Sequence, residues 1–393
     1  MSDTPFEIQA EIIKRLPVRS LIRFQSVSKA WKFHIDGSDF IACYKGQQHL
    51  LVSYHYYIVE LEQKYVSIVD DDTFPQHKVF LSIHPLVKML KHAKILAISN
   101  GLLCLHGDYR EGCDGPFSGT ARVVIWNPFI RKAVEVVVRH MASGTYSSTV
   151  LGFGVCRETN DAKIVKITLT DKENITTYDI PWKVDVFTLG TGAWRGLYGN
   201  LPRKSITFSS SINIVVDGVL YWLADDTITQ EDRRRRYNMI ISFDLTCLNF
   251  EEVKLPDSLT HKHPLDFSMY KLKESLVMLE HGVEANNRFT TIWKMEDGVP
   301  KSFTKLFTIG IDTLSALVKG FTKDDKPILE RVKRYDGYFV SWLVYEPYSK
   351  HINNLGISGF SRPSFVYTYM ETLLLLDHPD FIVYDNGKRY VSK

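Results

Sequence analysis

Residues 4–40 read TPFEIQAEIIKRLPVRSLIRFQSVSKAWKFHIDGSDF and are helical in pattern, unlike the rest of the chain. Thr4, Pro5 and Glu7 predict a capping box with proline at the first helical position. Apolar residues then recur at roughly helical spacing, and Pro17 ends this first helix because its ring clashes with the preceding turn. These apolar residues are Phe6, Ile8, Ile12, Ile13 and Leu16.

Two or three further short helices are expected before residue 44. The second begins near Val18 and the third ends near Asp36-Gly37, where glycine favours termination. Their apolar residues are Leu21, Phe24 and Val27 in the second helix and Ala30 and Trp31 in the third. Ser38 is expected to cap a last turn that holds Phe40 and Ile41.

Helices this short cannot bury all their apolar surface among themselves, because small domains have a high ratio of surface to volume. The surplus apolar face must contact either the rest of the chain or another protein. One interpretation is therefore a helical cap on a β domain, and the other is a docking module for a partner.

The string LPVRSLIRFQSVSKAW, residues 16–31, resembles the F-box in the form common in plants. The chain supplies the residues of that pattern in order and at the family's spacing, and it departs at Thr4, where the family usually has leucine. The matching residues are Pro5, Leu16-Pro17, Ser20-Leu21, Arg23, Val27, Lys29 and Trp31.

The resemblance implies binding to a Skp-type adaptor and, through it, to a cullin and a RING subunit. It also implies which side chains face the adaptor, although some of them, Trp31 above all, could instead form the core of the helical domain. These implied adaptor-binding residues are Pro5, Ile8, Ile12, Leu16, Pro17, Leu21, Val27, Lys29 and Trp31.

The composition is that of a globular protein of 393 residues, 45% of them hydrophobic, with a net charge of +3. A charge this mild argues against nucleic acid as the main partner. The sequence has no run of eighteen apolar residues and no secretory signal, so we expect neither a membrane span nor secretion. Its five cysteines are scattered without metal-ligand spacing, which indicates reduced thiols in the cytosol or nucleus.

From His49 onward the chain reads as strands and turns. Hairpin turns are expected between apolar strands, as in ILAIS-NG-LLCLH and INIVV-DG-VLYWLAD, because Asn-Gly and Asp-Gly accept the positive φ of tight hairpins. The expected turns are Asn100-Gly101, Asn160-Asp161, Asp217-Gly218, Lys273-Glu274, Asp324-Asp325 and, more weakly, Glu371-Thr372.

A second series consists of strands that end in an aromatic residue, and it follows each turn by roughly 20–30 residues. The aromatic residues are Trp126, Phe187, Phe243, Trp293 and Tyr345. Two interleaved series predict one four-stranded sheet per repeat, which is typical of a kelch-like propeller. We expect six blades, with seven as the alternative. The sixth is assembled from Phe365–Tyr369, Leu373–Asp377 and Phe381–Tyr384, and strands within residues 49–69 are available to close the ring.

This region resembles the F-box-associated interaction domain of plant proteins. The residues that carry the resemblance are Ser99-Asn100-Gly101-Leu102, Trp126-Asn127-Pro128, Arg131-Lys132 and Asp217-Gly218-x-Leu220-Tyr221-Trp222. The expected fold is therefore mixed: a small all-α F-box of three to four helices, followed by an all-β propeller. Residues 1–44 form the F-box, residues 45–94 the first strands and linker, and residues 95–393 the target-binding propeller.

Other conspicuous residues have structural interpretations that we prefer. Tryptophans at blade spacing are expected in the core rather than in a ligand site. The run Arg233–Arg236 is expected in a solvated loop, with an anionic-partner or nuclear-import patch as the alternative. His261 and His263 lack the further ligands of a metal site. These tryptophans are Trp126, Trp222, Trp293 and Trp342.

The resemblance to the F-box implies a receptor subunit of a ubiquitin ligase, and we expect it to carry no cofactor and no catalytic residues. No nucleophile motif or convergent carboxylate set is visible in it. The alternatives are a stand-alone interaction propeller and a propeller that binds or hydrolyses carbohydrate. The target is unknown, and its binding surface is expected in the long loops, which carry recognition more often than strands do. These loops are Gly107–Thr120, His140–Thr149 and Thr227–Tyr237.

Overall fold

The computed structural model describes residues 4–57, 61–109, 120–139, 147–170, 182–199, 206–209, 212–230, 233–284, 287–311, 316–334, 338–379, 382–385 and 388–391. Within these ranges a short helical region precedes a series of mainly antiparallel strands. The described part of the chain contains no helix long and apolar enough to cross a membrane.

Four short helices open the chain, as expected: α1 (Phe6–Ile13), α2 (Val18–Phe24), α3 (Lys29–Ile35) and α4 (Ser38–Cys43). Pro17 occupies the N-cap position of α2, and the Ser28 side chain accepts a hydrogen bond from the backbone N–H of Trp31 at the start of α3. The predicted capping box is wrong. Pro5, not Thr4, occupies the N-cap position of α1, and no side chain caps that helix.

The next elements are β1 (Gln48–Tyr57), β2 (Leu61–Val69), β3 (Lys78–Phe80), α5 (Pro85–Met89), β4 (Leu90–Ser99), β5 (Leu102–Tyr109), β6 (Thr120–Asn127), β7 (Lys132–Arg139), β8 (Ser147–Val155), β9 (Ala162–Thr170), β10 (Lys183–Thr188), β11 (Ala193–Leu197), β12 (Ile206–Phe208) and β13 (Ile214–Val216). The remaining elements are β14 (Val219–Gln230), β15 (Arg233–Asp244), β16 (Asn249–Lys254), α6 (Asp257–Thr260), β17 (Phe267–Leu272), β18 (Ser275–Glu284), β19 (Asn287–Glu296), β20 (Ser302–Ile311), β21 (Ala316–Phe321), β22 (Pro327–Arg334), β23 (Tyr338–Glu346), β24 (His351–Met370), β25 (Ile382–Asp385) and β26 (Lys388–Val391).

The chain divides into two compact units. The first comprises Met1–His49, Ser82–Leu197 and Tyr369–Lys393. It holds the four N-terminal helices, a six-stranded sheet in the order β26-β25-β7-β6-β5-β4, and a four-stranded sheet in the order β11-β10-β9-β8.

The second unit comprises Leu50–Leu81 and Tyr198–Thr368. One of its sheets contains β12 to β16, with β12 and β13 both paired to β14, and another has the order β17-β18-β19-β20. The third has seven strands in the order β21-β22-β23-β24-β1-β2-β3. Strands from near residue 50 therefore lie beside strands from near residue 360.

The turns are the best-predicted feature of the β region. Asn100 and Gly101 have φ of 44° and 76°, and Asp217 and Gly218 have φ of 45° and 73°, as a type I′ hairpin requires. Asn160, Lys273 and Asp325 also have positive φ in the turns expected there.

The C-terminal part of the strand prediction is wrong. Glu371-Thr372 is not a hairpin turn, and Leu373–Asp377 forms turns rather than a strand. Strand β25, which contains most of Phe381–Tyr384, pairs in parallel with β7 instead of extending the sheet that holds β24.

The tryptophans lie in the core, as predicted. Trp126, Trp222 and Trp342 are fully buried, and Trp293 is half-buried with its Nε1–H donating to Glu280 Oε2 at 2.8 Å. The described residues contain no cluster of His, Cys, Asp or Glu that could hold a metal ion. His263 instead caps a short turn by accepting from the Leu265 N–H.

His281, in β18, is a half-buried side chain with hydrogen-bond partners on both ring nitrogens. Its Nε2 lies 3.1 Å from Ser268 Oγ, and its Nδ1 lies 3.2 Å from Thr290 Oγ1. Burial, together with the positive charges of Lys319 and Arg288, lowers the pKa of His281 from its ordinary 6.5 to about 4. The unfolded chain therefore binds a proton at this residue between pH 6.5 and 4 that the folded chain does not bind.

We predict that the second unit loses stability as the pH falls from 6.5 to 4, because only the unfolded state gains this proton. The loss attributable to His281 is up to about 3 kcal/mol. In urea unfolding at pH 7.5 and 4.5, His281→Gln should reduce the pH dependence, and the exposed control His263→Gln should leave it unchanged. Equal pH dependence in His281→Gln and the wild type would contradict this assignment.

Candidate functional site

The hydrophobic core of the four N-terminal helices is completed by residues from elsewhere in the first unit. Their buried side chains form one cluster with Leu373, against which Leu374, Leu376, Phe129 and Ile130 also pack. The helical residues of this cluster are Ile13, Val18, Leu21, Ile35, Phe40, Ile41 and Tyr44. One face of the helices therefore packs on the β region of the same unit, as the cap interpretation expects.

The residues that complete this core belong to a segment that we call the C-terminal bridge, residues 371–378. Side chains of the β6–β7 turn hold its backbone. The Asn127 amide donates to the carbonyls of Thr372 and Leu374 at 3.0 and 2.9 Å, and Lys132 Nζ donates to those of Leu376 and His378 at 2.7 and 2.6 Å. Two side chains thus satisfy four carbonyls of a segment that is not part of a sheet.

Glu371 joins the bridge to the start of α2. Its Oε2 accepts a hydrogen bond from the Val18 N–H at 3.1 Å, and the carboxylate is almost entirely buried. The first N–H groups of a helix have no partner within it, so a carboxylate at this position supplies a missing acceptor. His49 Nε2 lies 3.4 Å from Glu371 Oε1, and these two groups form an ion pair only when the histidine is protonated.

Backbone bonds fix the same junction. The Gly46 N–H donates to the Glu371 carbonyl at 3.1 Å, and the Glu371 N–H donates to the Gln47 carbonyl at 3.0 Å. Tyr44 Oη donates to the Leu16 carbonyl at 2.7 Å. Burial raises the pKa of Tyr44, and the negative charge of Glu371 raises it further, so the hydroxyl remains a donor across the neutral range. A Cβ at Gly46 would lie 2.6 Å from the Cβ of Glu371, so this position requires glycine.

Several apolar side chains of the helical region do not join this core and are exposed. Ile8 and Ile12 are 53% and 55% exposed, and they lie one turn apart on the same side of α1. Val27 is 65% exposed and Phe33 is 85% exposed. Phe6 is also exposed, and its ring contacts that of His34 edge-on at 5.4 Å. We call the exposed residues Ile8, Ile12, Val27 and Phe33 the apolar helix face.

The predicted adaptor-binding residues fall into three groups. Pro5, Ile8, Ile12, Val27 and Lys29 are exposed, and Leu16, Pro17 and Trp31 are half-buried. Trp31 contributes to the core, and its Nε1–H donates to Gln9 Oε1 at 2.9 Å. Leu21 is fully buried in the core cluster, so its side chain is not available to a partner in this structure.

Phe33 was not among the predicted contact residues, although the sequence contains a signal for it. Residues two apart on a helix do not share a face. Since Trp31 packs inward, Phe33 on the same helix must point away from the core. The F-box pattern ends at Trp31, so a comparison limited to that pattern does not reach Phe33.

The predicted target loops are only partly described. Residues 110–119 and 140–146 lie outside the described residues, and residues 147–149 belong to β8. The strands β6 and β7 are described, and their turn contacts the N-terminal helices. Strand β6 begins at Thr120 and β7 ends at Arg139, so these two residues lie at the ends of the strands that are remote from the helices.

The third loop prediction is wrong. Residues 227–230 and 233–237 belong to β14 and β15, which pair in register along twelve residues each. The arginine run lies on a strand rather than in an irregular loop.

Comparison with known families agrees with this architecture. Residues 5–42 match the F-box domain family, and residues 71–335 match the F-box associated beta propeller domain family. The chain is an F-box protein of the F-box associated propeller family. The second match alone covers more than half of its residues.

Three similar curated proteins are from Arabidopsis thaliana. An F-box protein is 26% identical over 64% of this chain and 61% of its own length, so the chain spans less than two thirds of that relative. An F-box/kelch-repeat protein is 23% identical over 78% of this chain and 80% of its own length. The F-box protein CPR1 is 22% identical over 79% of this chain and 73% of its own length.

Similarity to solved structures is weak. A polysaccharide lyase, an ulvan lyase, aligns with 81% of this chain and 72% of its own at 12% identity and a TM-score of 0.39. A similarity at this level supports no inference about activity.

We predict that Leu373→Ala destabilises the N-terminal helices, because it leaves a cavity in the core that they share with the C-terminal bridge. Large-to-small changes at buried leucines cost about 2–5 kcal/mol. Pulse proteolysis in urea, with cleavage within residues 5–44 identified by mass spectrometry, should show a lower midpoint for this variant. The control Leu265→Ala, at an 83% exposed position, should leave the midpoint unchanged. Equal midpoints for Leu373→Ala and the wild type would show that the helices fold independently of the bridge.

Proposed function

We propose that this protein is the substrate-recognition subunit of a Skp–cullin–F-box ubiquitin ligase. The apolar helix face binds the Skp-type adaptor, and the β region binds the protein to be ubiquitinated. The observation that carries the proposal is that the helices have completed their core within the chain and still expose large apolar side chains.

The chemistry of that face suits a protein partner. Exposed apolar side chains grouped on one side of a small domain are typical of interaction sites. Phe33 supplies an aromatic side chain of a type enriched in interface cores, Ile8 and Ile12 supply apolar area, and Lys29 supplies a polar margin. An interface of standard size, about 1,600 Å² in total, would cover these residues.

The receptor would have no catalytic residues of its own and no cofactor. Its contribution is to hold target lysines near the ubiquitin-conjugating enzyme, which raises their effective concentration. A cytoplasmic or nuclear location follows from this role.

The cap interpretation accounts for the packing of the helices on the β6–β7 turn, but it gives no reason for the apolar helix face. The receptor interpretation accounts for both faces.

We further propose a propeller of six blades. Residues 351–360 of β24 pair with β23, which leaves the rest of this 20-residue strand for its other neighbour, β1. If the two halves of β24 belong to different blades, the seven-stranded sheet supplies two groups of four strands, β21 to β24 and β24 with β1 to β3. The other four sheets supply one group each, which makes six. Strands β25 and β26 then extend the outer edge of the group β4–β7.

We propose that, in the first unit, the target binds at the ends of the strands that are remote from the F-box helices. The β6–β7 turn is occupied by the helices and the C-terminal bridge, so it is closed to a target. Strands of eight residues span about 26 Å, which separates the loops at Thr120 and Arg139 from the adaptor side.

We predict that Ile8→Asp with Ile12→Asp abolishes adaptor binding without unfolding the protein. Both positions are exposed, so the free protein tolerates the carboxylates, whereas the interface would bury them unpaired. In biolayer interferometry with a purified Skp-type adaptor, the affinity should fall by about 100-fold or more. Val299→Asp with Tyr348→Asp is the control, since both residues are fully exposed and lie outside the F-box. Undiminished binding by the Ile8/Ile12 variant would reject the apolar helix face as the adaptor site.

A further inference from the structure

Three strands of the second unit, β17, β21 and β24, have apolar core residues on one face and half-buried residues on the other. Alternate residues of a strand share a face, so each strand has one closed face and one partly open face. The core residues are Phe267, Met269, Ala316, Val318 and Val366. The half-buried residues that alternate with them are Ser268, Tyr270, Leu317, Lys319, Phe365 and Tyr367.

Polar side chains on the partly open faces of β17 and β21 form a connected network. The Ser268 hydroxyl lies 3.1 Å from His281 Nε2 and forms a hydrogen bond that lowers the pKa of Tyr270, against the larger effect of burial, which raises it. The positive charge of Lys319 also lowers the pKa of Tyr270, so these two side chains are neighbours. Lys319 Nζ in turn lies 3.3 Å from Glu330 Oε2. The network therefore runs from one sheet to the next.

Tyr367 and Phe365 join the network from β24. Burial raises the pKa of Tyr367, and the nearby Tyr270 raises it further. The Phe365 ring stacks on that of Tyr367, with 5.9 Å between the ring centroids and 24° between the ring planes. Strand β24 thus places an aromatic surface beside the hydroxyl groups of the network.

These side chains lie deep in the unit and are still accessible to solvent. Burial is the largest influence on the pKa of Tyr270, Tyr367 and Lys319, yet 29% of the Lys319 side chain is accessible. Lys319 is the extra residue of a β-bulge, because Val318 pairs with Leu329 and the next pair is Gly320 with Ile328. A bulge redirects a side chain relative to its strand. A deep side chain that solvent reaches borders a recess, which we call the Tyr270 recess, bordered by Ser268, Tyr270, Lys319, Phe365 and Tyr367.

At neutral pH the Tyr270 recess offers hydrogen-bond donors. Burial raises the pKa of Tyr270 and of Tyr367, so both hydroxyls keep their protons. Burial lowers the pKa of Lys319, but Tyr270 and Glu330 raise it by more, so the ammonium group keeps its charge. An ammonium has three donors, and Glu330 accepts from one of them.

Positive charge prevails beside the recess. The charges of Lys319, Arg288 and Lys262 add to burial in lowering the pKa of His281, and Asp266 opposes them. The Nε of Arg288 is buried and has no hydrogen-bond partner among the residues that the structure describes. A group that brings negative charge is therefore favoured in the recess over one that brings positive charge.

We propose that the Tyr270 recess binds a small organic molecule that carries one carboxylate on an aromatic body. The carboxylate accepts hydrogen bonds from Lys319 and Tyr270, and the aromatic body packs against Phe365 and Tyr367. Small-molecule sites combine apolar and aromatic walls with a few polar groups in this way. A single negative charge fits better than the double charge of a phosphate, because Glu330 already offsets Lys319.

This inference goes beyond the proposed function, and the full-length protein can test it by saturation-transfer NMR. The probes are benzoate, its neutral isostere benzamide, and inorganic phosphate, an anion without an aromatic body. A fragment the size of benzoate reaches about millimolar affinity at a matching site. We expect benzoate to bind about tenfold or more tightly than either of the other probes.

The test variant is Tyr270→Phe with Tyr367→Phe, which keeps both rings and removes the two hydroxyls. Benzoate affinity should fall by about tenfold, because hydrogen bonds to a charged acceptor are lost. The control is Tyr198→Phe with Tyr348→Phe, the same change at positions that are 97% and 103% exposed, and its affinity should stay within about twofold of the wild type.

The imidazole resonance of His281, assigned with His281→Gln, provides a second measurement in the same unit. Bound benzoate adds negative charge near the network, so the pKa of His281 should rise in the wild type and in the control variant. Lys319→Met with Glu330→Gln removes both charges of the buried pair together and should also weaken benzoate binding by about tenfold or more. Urea unfolding verifies that each variant is folded, and either variant alone is a sufficient test.

Three outcomes would overturn the proposal. They are equal benzoate affinity in the test and control variants, binding of benzamide or phosphate as tight as that of benzoate, and an unchanged pKa of His281 at saturating benzoate. The variant Ile8→Asp with Ile12→Asp should bind benzoate like the wild type. Loss of adaptor binding and loss of benzoate binding are therefore distinguishable, and the failure of one proposal leaves the other standing.

Discussion

The packing of the C-terminal bridge against the N-terminal helices is the interaction on which the first unit depends. Four helices within residues 6–43 are too few to enclose a core. Leu373 completes that core, and Glu371 supplies an acceptor to the first N–H of α2. Helices this short are marginal by themselves and take most of their stability from tertiary packing. The F-box of this protein is therefore part of the first unit rather than a separate domain on a linker.

The Trp-Asn-Pro-x-x-Arg-Lys motif has a physical role in the same arrangement. Trp126 is buried in the sheet, Asn127 and Lys132 bind the carbonyls of the bridge, and Arg131 has a φ of 58° in the turn between them. Phe129 and Ile130, which lie between these residues, pack against the helical core. This motif, whose sequence resembles a strand end and a turn, thus contacts both the N-terminal helices and the C-terminal bridge. Its side chains determine where the apolar helix face lies relative to the sheets of the first unit.

The sequence predicted the parts of the structure that local chemistry determines. The four helices and the hairpin turns depend on neighbouring residues, such as Asn100-Gly101, whose positive φ values are accessible to those residue types. The assignment of Leu373–Asp377 to a strand failed because a short apolar run fits a strand and a buried turn equally well. Its actual partners, Asn127 and Lys132, lie more than 240 residues away. The capping box at Thr4 failed because Pro5 takes the N-cap position itself.

In the candidate site, too, the sequence predicted the features that depend on neighbouring residues and missed those that depend on tertiary packing. Periodicity and the F-box resemblance identified Ile8, Ile12 and Val27, which the structure exposes. They also identified Leu21, which lies in the core, because an amphipathic pattern does not say which of its apolar residues face the chain's own interior. The arginine run was assigned to a loop from its charge alone, whereas strand pairing with Thr227–Gln230 depends on the whole hairpin.

The central claim is that the F-box helices and the C-terminal bridge form one cooperative structure. Hydrogen–deuterium exchange of the full-length protein, resolved to peptides, measures this directly. Amides of α1 to α4 and of residues 371–378 should open with the same free energy and respond together to added urea. A markedly lower opening free energy for the helices than for the bridge would contradict this cooperativity, because the F-box would then unfold while the bridge stayed in place.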